Sequence, residues 1–355
     1  MFFDTHAHLD DARYDEDREA VIASMKEEGI SPCMTVGANM RMNRMAVQLA
    51  QAHPGYLYAA VGIHPSDSEE CTDEAMEEMK RLAALPCVKA WGEIGLDYHW
   101  DDVPRDIQKE VFLRQLETAR ELDLPVILHI REAHGDALEL LRARKGRLPR
   151  GVVHCYSGSW ESAQEYMALG FHISFTGSVT FKNAVKLAEV SDKIPLDRLM
   201  IETDSPYMTP TPLRGQRNDP CKVKLVAQFL ADRRGMPVEE LARITRENGM
   251  RFFRIEEYKD SPRIGRAGPE HRSASVCYRH TEADFTLYRF NCVLRWLAEH
   301  RIMRIRRFGW RADVCRTRVH LFAGDERSAY IVRRVTKDDD ALMPHLTSLF
   351  KRRLD

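Results

Sequence analysis

The first 256 residues alternate between short apolar runs and longer segments of mixed polarity. Each apolar run is continuous rather than alternating with polar residues, which is typical of strands buried on both faces of a parallel sheet. The runs predict eight strands, over residues 1–4, 31–36, 57–62, 88–94, 125–130, 151–155, 171–175 and 198–202. This pattern indicates an α/β protein, because helical segments lie between the runs.

The segment over residues 106–122 has apolar residues near a 3.6-residue period and predicts an amphipathic helix. Further helices are predicted over residues 161–169, 183–191, 220–234 and 237–253. Eight β/α units in about 250 residues match a TIM-type (β/α)8 barrel. An open doubly wound sheet is the rival fold. It normally has a glycine-rich loop after the first strand, where this chain has His6 and His8.

Charge divides the chain into two parts. The 355 residues include 53 basic and 54 acidic side chains, and 44% of them are hydrophobic. This composition excludes a disordered chain and does not indicate a basic nucleic-acid binder. Residues 1–259 carry a net charge of −9, whereas residues 260–355 carry +8. We therefore predict a barrel domain over 1–256, a linker over 257–270, and an Arg-rich C-terminal extension of uncertain fold and unknown function over 271–355.

Two features of the extension suggest local structure. Residues 285–299 place apolar side chains at helical spacing and predict an amphipathic helix. Residues 301–311 surround Phe308 and Trp310 with arginines. Such a segment could bind nucleic acid or could form a solvated face, and both interpretations stay open.

Cysteine usage and hydropathy suggest a cellular location. The eight cysteines are scattered without a CxxC pair and are interpreted as reduced thiols of a cytoplasmic protein. The first residues lack the basic and apolar regions of a signal peptide. No run reaches the roughly 18 apolar residues that a membrane helix needs. We expect a cytoplasmic monomer without a membrane partner.

Six side chains that could bind a metal stand at the ends of five predicted strands. They are His6, His8, Glu93, His129, His154 and Asp204. In a parallel barrel all these strand ends meet at one mouth, where active sites of such barrels are built. A single tetrahedral zinc ion uses only three or four ligands. The set therefore predicts two divalent cations, of which Mg²⁺, Mn²⁺ and Zn²⁺ all suit histidine and carboxylate ligands.

A single buried histidine is more often a hydrogen-bonded core residue than a metal ligand. That interpretation is the default for His53, His99, His134 and His172. It does not explain six residues at different strand ends, because buried polar groups are costly without partners. His64 ends the third predicted strand and faces the same mouth. It could bind substrate or orient a ligand.

Six motifs in order carry a family resemblance: DTHAHLD, GIHP, GEIGLDYH, HIREA, HCYSG and ETDSPYMTPTPLRGQRNDP. They resemble the TatD family of metal-dependent deoxyribonucleases, within the amidohydrolase superfamily, over residues 1 to about 256. The resemblance implies a distorted TIM barrel with a binuclear metal centre. It implies that His6, His8 and Asp204 hold one metal, that His129 and His154 hold the other, and that Glu93 bridges them.

The resemblance implies hydrolysis of DNA phosphodiester bonds, as a 3′–5′ exonuclease on single-stranded ends. Two metals can generate a hydroxide at neutral pH and stabilise the attacking and leaving oxygens. Glu93 and Asp204 are the expected catalytic residues, with Asp204 as the general base. Expected substrate contacts are His64, Arg131, Tyr207, Arg214, Arg217 and Asn218.

Two other functional classes stay open at this point. The same metal pair could hydrolyse another ester or amide, such as D-aminoacyl-tRNA, because one fold hosts many chemistries. The third class is a metal-containing binding protein without turnover. The complete ligand set and the presence of Asp204 argue against this third class.

Overall fold

The computed structural model describes residues 1–100 and 102–256, and the backbone of three strands between residues 303 and 334. The chain divides into two units, Met1–Pro262 and Arg263–Asp355. The first unit contains eight parallel strands whose order in the sheet follows the chain. These are β1 (Phe2–Ala7), β2 (Ile30–Val36), β3 (Leu57–Val61), β4 (Val88–Asp97), β5 (Val126–Arg131), β6 (Gly151–Val153), β7 (His172–Phe175) and β8 (Leu199–Ile201).

The sheet closes where the first and last strands meet. The His8 N–H donates to the Ser205 carbonyl at 2.7 Å, and the Asp204 N–H donates to the His6 carbonyl at 2.8 Å. A parallel bridge joins Ala7 and Ser205 at the same point. The eight strands therefore form a nearly closed barrel, and the predicted TIM-type fold is confirmed.

Helices surround the barrel. They are α1 (Arg18–Glu27), α2 (Met40–Ala52), α3 (Asp73–Ala83), α4 (Arg105–Glu121), α5 (His134–Arg142), α6 (Trp160–Ala168), α7 (Val185–Lys193), α8 (Val223–Arg234) and α9 (Val238–Phe252). Five of them, α4 and α6 to α9, match predicted segments to within three residues. Several begin at side-chain caps: Asn39 accepts from the Met42 N–H at 3.1 Å, and Thr72 accepts from the Ala75 N–H at 3.2 Å.

An apolar cluster fills one end of the barrel. Its members come from seven strands and from the end of α9: Phe3, Met34, Val36, Ala60, Ala90, Ile127, Val152, Met200, Met250, Phe252, Phe253 and Ile255. The ring centroid of Phe253 lies 5.8 Å from that of Phe3, near the start of β1. The ring centroid of Phe252 lies 5.1 Å from that of His172, at the start of β7. The end at which the strands begin is therefore closed by apolar packing, and the polar residues lie toward the other end.

The second unit contains a small antiparallel sheet in the order β10-β11-β9. Its strands are β9 (Met303–Phe308), β10 (Arg318–Phe322) and β11 (Ala329–Arg334). Strand β9 lies within the Arg-rich segment 301–311, and nucleic-acid binding by that segment stays a prediction. The predicted linker over 257–270 and the predicted helix over 285–299 lie outside the described residues.

Two simpler expectations concern membranes and cysteines. None of the helices that the structure describes is long and apolar enough to cross a membrane. The five cysteines in the described part of the chain are free thiols: Cys33, Cys71, Cys87, Cys155 and Cys221. Cytoplasmic location and a monomeric state stay predictions.

Helix α9 packs so closely on β1 that it needs glycine at position 249. A Cβ atom there would lie 2.6 Å from Cδ1 of Phe3. Alanine normally favours a helix interior over glycine by about 1 kcal/mol. Overpacking costs about 1–3 kcal/mol. The two effects together predict that Gly249→Ala lowers the free energy of unfolding by up to about 2 kcal/mol in urea denaturation.

Gly135 in α5 is the matched control, because no atom lies within 4 Å of its added Cβ. Gly135→Ala should leave stability unchanged or slightly raised. A Gly249→Ala protein that is more stable than the wild type would contradict the close packing of α9 on β1.

His172 should make stability depend on pH. Burial, aided by Arg198 and Arg251, lowers the pKa of His172 from 6.5 to about 4. Between these two values the unfolded chain takes up a proton that the folded chain does not. This contribution to stability is complete above pH 6.5 and is lost progressively as the pH falls toward 4.

In His172→Gln the slope of the free energy of unfolding against pH should be smaller, by at most about 1.4 kcal/mol per pH unit. Urea denaturation of both proteins across this pH range is the measurement. Parallel stability curves for the two proteins would show that His172 does not contribute.

Candidate metal centre

The carboxyl ends of five strands bring buried imidazoles and carboxylates together. The contributing side chains are His6 of β1 and His8 just after it, Glu93 of β4 and His129 of β5, followed by His154 after β6 and Asp204 after β8. Gly95 is essential to this approach. Its φ is 150°, and a Cβ there would lie 1.9 Å from the His129 carbonyl oxygen. Glycine therefore lets β4 and β5 come close enough for Glu93 and His129 to meet.

Four of these side chains form a first donor group. Its atoms are Nε2 of His6, Nε2 of His8, Oε2 of Glu93 and Oδ1 of Asp204. The two imidazole nitrogens are 3.2 Å apart. Each nitrogen lies 3.3–3.8 Å from the two carboxylate oxygens. A cation with metal–ligand distances near 2.1 Å would separate tetrahedral ligands by about 3.4 Å. These spacings fit a bound metal ion.

A second donor group uses the other oxygen of Glu93. Oε1 lies 2.7 Å from Nδ1 of His129 and 2.7 Å from Nε2 of His154. The two imidazole nitrogens are 3.1 Å apart. Three nitrogen and oxygen atoms thus converge on a second point. The carboxylate of Glu93 contributes one oxygen to each of the two donor groups.

The electrostatics of the cluster favour positive charge between its members. Burial alone would raise the pKa of the Glu93 carboxyl, but His154, His129 and His6 hold it well below its usual range. Burial likewise opposes protonation of His8, yet Asp204 and Glu93 raise its pKa to about 10. Two imidazole nitrogens that face two carboxylate oxygens can share a bound cation. Binding of a metal ion requires that these ligands lose their protons.

Neighbouring groups orient the imidazoles. The Nδ1 of His8 donates to the Val36 carbonyl at 2.7 Å, which leaves its Nε2 lone pair facing the first donor group. The Nε2 of His129 lies 3.0 Å from Oδ2 of Asp97, which leaves its Nδ1 facing the second. His6 stacks on His154, with ring centroids 4.0 Å apart. Such outer contacts fix the tautomer and ring direction of metal-binding histidines.

Sequence reasoning missed two carboxylates of this outer layer. Asp97 contacts His129, as described above. Glu202 places Oε1 3.3 Å from Nδ1 of His154 and accepts from the Cys155 N–H at 2.6 Å. Alternation along a strand was the available signal, because Glu202 precedes Asp204 by two residues and Asp97 follows Glu93 by four.

His64 lies at the edge of the second donor group. Its Nδ1 accepts from the Ser66 N–H at 3.1 Å, so in the neutral ring Nε2 carries the proton. Nε2 lies 3.9 Å from Oε1 of Glu93, and the ring contacts that of His129 at 4.3 Å. Burial, followed by the charge on His129, lowers the pKa of His64 to about 3. His64 therefore presents a neutral N–H toward the mouth.

Three of the expected substrate contacts have accessible groups. Arg131 ends β5 with its guanidinium 5.8 Å from the Trp100 ring, and it makes no ion pair with any described residue. The Tyr207 ring lies 6.1 Å from that of His8 and is 39% exposed. Arg214 is exposed and lies over Phe181 at 4.0 Å.

Arg217 and Asn218 are engaged within the protein instead. The Arg217 guanidinium donates to Asp17 at 2.9 Å and to the Arg13 carbonyl at 2.7 Å. Asn218 is fully buried, and its amide donates to the Tyr207 carbonyl at 2.6 Å. Both residues make contacts that hold the loop after β8 in place, and their binding to substrate stays a prediction.

A parallel barrel with buried histidines and carboxylates at its mouth is the architecture of a metal-dependent hydrolase. Residues 3–254 match the family model described as TatD related DNase. The chain belongs to the TatD family of metal-dependent hydrolases.

Individual relatives cover the barrel almost completely. The uncharacterized metal-dependent hydrolase YabD of Bacillus subtilis is 46% identical over 255 residues, which are 72% of this chain and 100% of YabD. A Pectobacterium parmentieri protein named 3′-5′ ssDNA/RNA exonuclease TatD is 36% identical, over 71% of this chain and 99% of its own. The crystal structure of YJJV, a TatD homologue from Escherichia coli, has a TM-score of 0.67 at 33% identity. The structural match covers 72% of this chain and 98% of the YJJV chain.

We predict that Glu202 raises the affinity of the centre for its metal through His154, without being a metal ligand itself. Glu202→Gln removes the negative charge beside His154 but keeps an oxygen that can accept from the Cys155 N–H. We expect the affinity for Mn²⁺ or Zn²⁺ to fall about 10- to 100-fold, the usual effect of losing such an outer partner. Isothermal titration of the metal-free protein measures it.

Glu165→Gln is the control, because Glu165 pairs with Arg142 on the exposed face of α6. It should bind metal like the wild type. Unchanged affinity in Glu202→Gln would show that Glu202 has no part in the centre.

Proposed function

We propose that this protein is a 3′–5′ exonuclease that hydrolyses phosphodiester bonds at single-stranded nucleic-acid ends, DNA above all, with two divalent cations. The observation that carries the proposal is the position of Glu93. Each of its carboxylate oxygens faces a different donor group, at 3.5 Å from His6 and 2.7 Å from His129. A carboxylate shared in this way can serve as a ligand to each of two adjacent cations.

The residues divide into two sets around this carboxylate. His6, His8 and Asp204 would hold one cation with Glu93, and His129 and His154 would hold the other. When bound, the cations would supply a nucleophile from water at neutral pH and positive charge for the phosphate oxygens.

Asp204 is the proposed general base. Its Oδ1 faces His6 and His8, whereas Oδ2 makes no hydrogen bond within the described residues. Oδ2 can therefore accept a proton from the attacking water and return it to the leaving 3′ oxygen. The residue has a positive φ of 55°, and its N–H donates to the His6 carbonyl. This strained backbone, held in place by its neighbours, is typical of functional sites.

Substrate contacts would come from groups at the mouth. The His64 Nε2–H can donate to a phosphate oxygen. Arg131 has no carboxylate partner among the described residues, and its guanidinium can bind a phosphate through two parallel hydrogen bonds. Arg214 can add charge from the loop after β8.

Single-stranded ends fit the charge of the barrel better than duplex DNA does. Residues 1–259 carry a net charge of −9. Tight binding along a duplex depends on many basic contacts to phosphate. A relative that is 36% identical over the barrel bears the name 3′-5′ ssDNA/RNA exonuclease. An aminoacyl-tRNA ester is the rival substrate, since two cations also polarise a carbonyl, and it belongs in the same assay.

Asp204→Asn should lower kcat about 10²- to 10⁴-fold, the usual contribution of a general base, while the melting temperature changes little. Cleavage of single-stranded DNA, duplex DNA, RNA and aminoacyl-tRNA is followed with Mg²⁺, Mn²⁺ or Zn²⁺ and with EDTA. EDTA should abolish activity in the wild-type protein.

The matched control is Asp197→Asn, because the Asp197 side chain is 74% exposed and lies before β8, at the end of the barrel opposite the donor groups. It should retain wild-type activity. Metal-dependent cleavage of aminoacyl-tRNA without cleavage of any oligonucleotide would replace the proposal with the rival function.

A further inference from the structure

Two aromatic side chains are exposed in the part of the chain that the structure describes. Trp100 is 53% exposed and Tyr207 is 39% exposed. Both lie in loops that follow barrel strands, β4 and β8, and therefore at the end where the donor groups lie. Exposed aromatics occur on any surface, but here both stand beside the candidate site.

The loop that carries Trp100 is anchored at both ends by one buried residue. Gln108 of α4 accepts from the Asp97 N–H at 2.9 Å through Oε1. Its Nε2 donates to the carbonyls of Asp97 at 2.9 Å and Val103 at 3.0 Å. Gln108 thus holds the backbone on both sides of Trp100, at Asp97 and at Val103.

His99 holds the indole of Trp100 from the side. Its ring meets the Trp100 ring edge-on, with centroids 4.7 Å apart and an interplanar angle of 85°. Nδ1 of His99 lies 2.7 Å from Oε1 of Glu132, and the His99 N–H donates to Oδ1 of Asp97 at 2.9 Å. These contacts orient the indole and leave about half of its surface in water.

The same contacts leave Arg131 free for an anion. Glu132, the next residue along the chain, and Asp97, the register partner of Arg131 on β4, are engaged by His99 and His129. Arg131 follows His129 by two residues on β5, so both side chains lie on the same face of the strand. Its guanidinium carbon lies 5.8 Å from the centre of the Trp100 ring. An anion-binding group and an aromatic platform therefore stand side by side next to the second donor group.

We propose that Trp100 and Arg131 form a nucleotide subsite, in which an unpaired base stacks on the indole and the guanidinium binds the phosphate of the same strand. The subsite rests on the proposed function and gives it a physical basis for preferring single strands, because only an unpaired base can stack in this way. Tyr207 lies beside His8 of the first donor group, so the strand would pass between two aromatic side chains on different walls of the mouth.

Trp100→Ala tests the subsite with a fluorescein-labelled oligothymidylate. We expect KM for cleavage to rise roughly 5- to 100-fold with little change in kcat, since stacking contributes about that much affinity per base. The Kd measured by fluorescence anisotropy on the inactive Asp204→Asn protein should weaken by the same factor. Trp100→Phe, which keeps a ring, should restore most of both.

An abasic scan identifies the stacked base. Replacing one thymidine at a time with an abasic site should weaken wild-type binding at one position near the 3′ end. The same replacement should have no further effect in Trp100→Ala. Leu122→Ala is the control, because it removes an exposed apolar side chain at the opposite end of the barrel, just before β5.

The outcomes separate the two proposals. If the wild-type protein cleaves the oligonucleotide and Trp100→Ala has the same KM and Kd, the subsite is overturned and the exonuclease proposal stands. Equal losses in Trp100→Ala and Leu122→Ala would overturn it as well. A wild-type protein that neither cleaves nor binds oligonucleotides with any divalent metal would overturn both.

Discussion

The carboxylate of Glu93 is the contact on which the rest of the site depends. Its two oxygens face two groups of imidazoles that come from opposite parts of the barrel, β1 on one side and β5 and β6 on the other. Such convergence requires the barrel to close, because His6 and Asp204 belong to its first and last strands. The bonds that join these two strands, between His6 and Asp204 and between His8 and Ser205, are therefore part of the site as well as of the fold.

Burying this much charge requires compensation. Each imidazole would be costly in the barrel without a partner. Val36 and Asp97 supply such partners for His8 and His129, and the Glu202 carboxylate lies 3.3 Å from Nδ1 of His154. The apolar cluster at the opposite end of the barrel provides packing without polar groups. The barrel thus separates its two requirements, with stability at the end where the strands begin and chemistry at the end where they finish.

Much of the fold and of the candidate site could be predicted because parallel-barrel geometry links position along the chain to position in space. Continuous apolar runs predicted the eight strands, and the residues at their ends predicted the six side chains that converge. The outer layer was harder. Asp97 follows Glu93 by four residues and Glu202 precedes Asp204 by two, but only the tertiary structure shows which imidazole each one contacts. Arg217 and Asn218 looked like substrate contacts because they carry suitable groups in a suitable loop, and the structure uses those groups to hold that loop.

By itself, the sequence determined the barrel, its metal-type residues and the division of charge between barrel and extension, since these follow from periodicity, residue type and counting. The tertiary structure decided which polar groups stay free. Arg131 and Arg217 carry the same guanidinium, but Arg131 has neighbours already paired with histidines, whereas Arg217 meets Asp17. Trp100 attracts no notice in the sequence. It stands out in the structure because Gln108 holds the backbone on both sides of it and His99 packs against the indole, which stays about half exposed. Availability for a ligand depends on the partners that a side chain has in space, and chain order does not specify them.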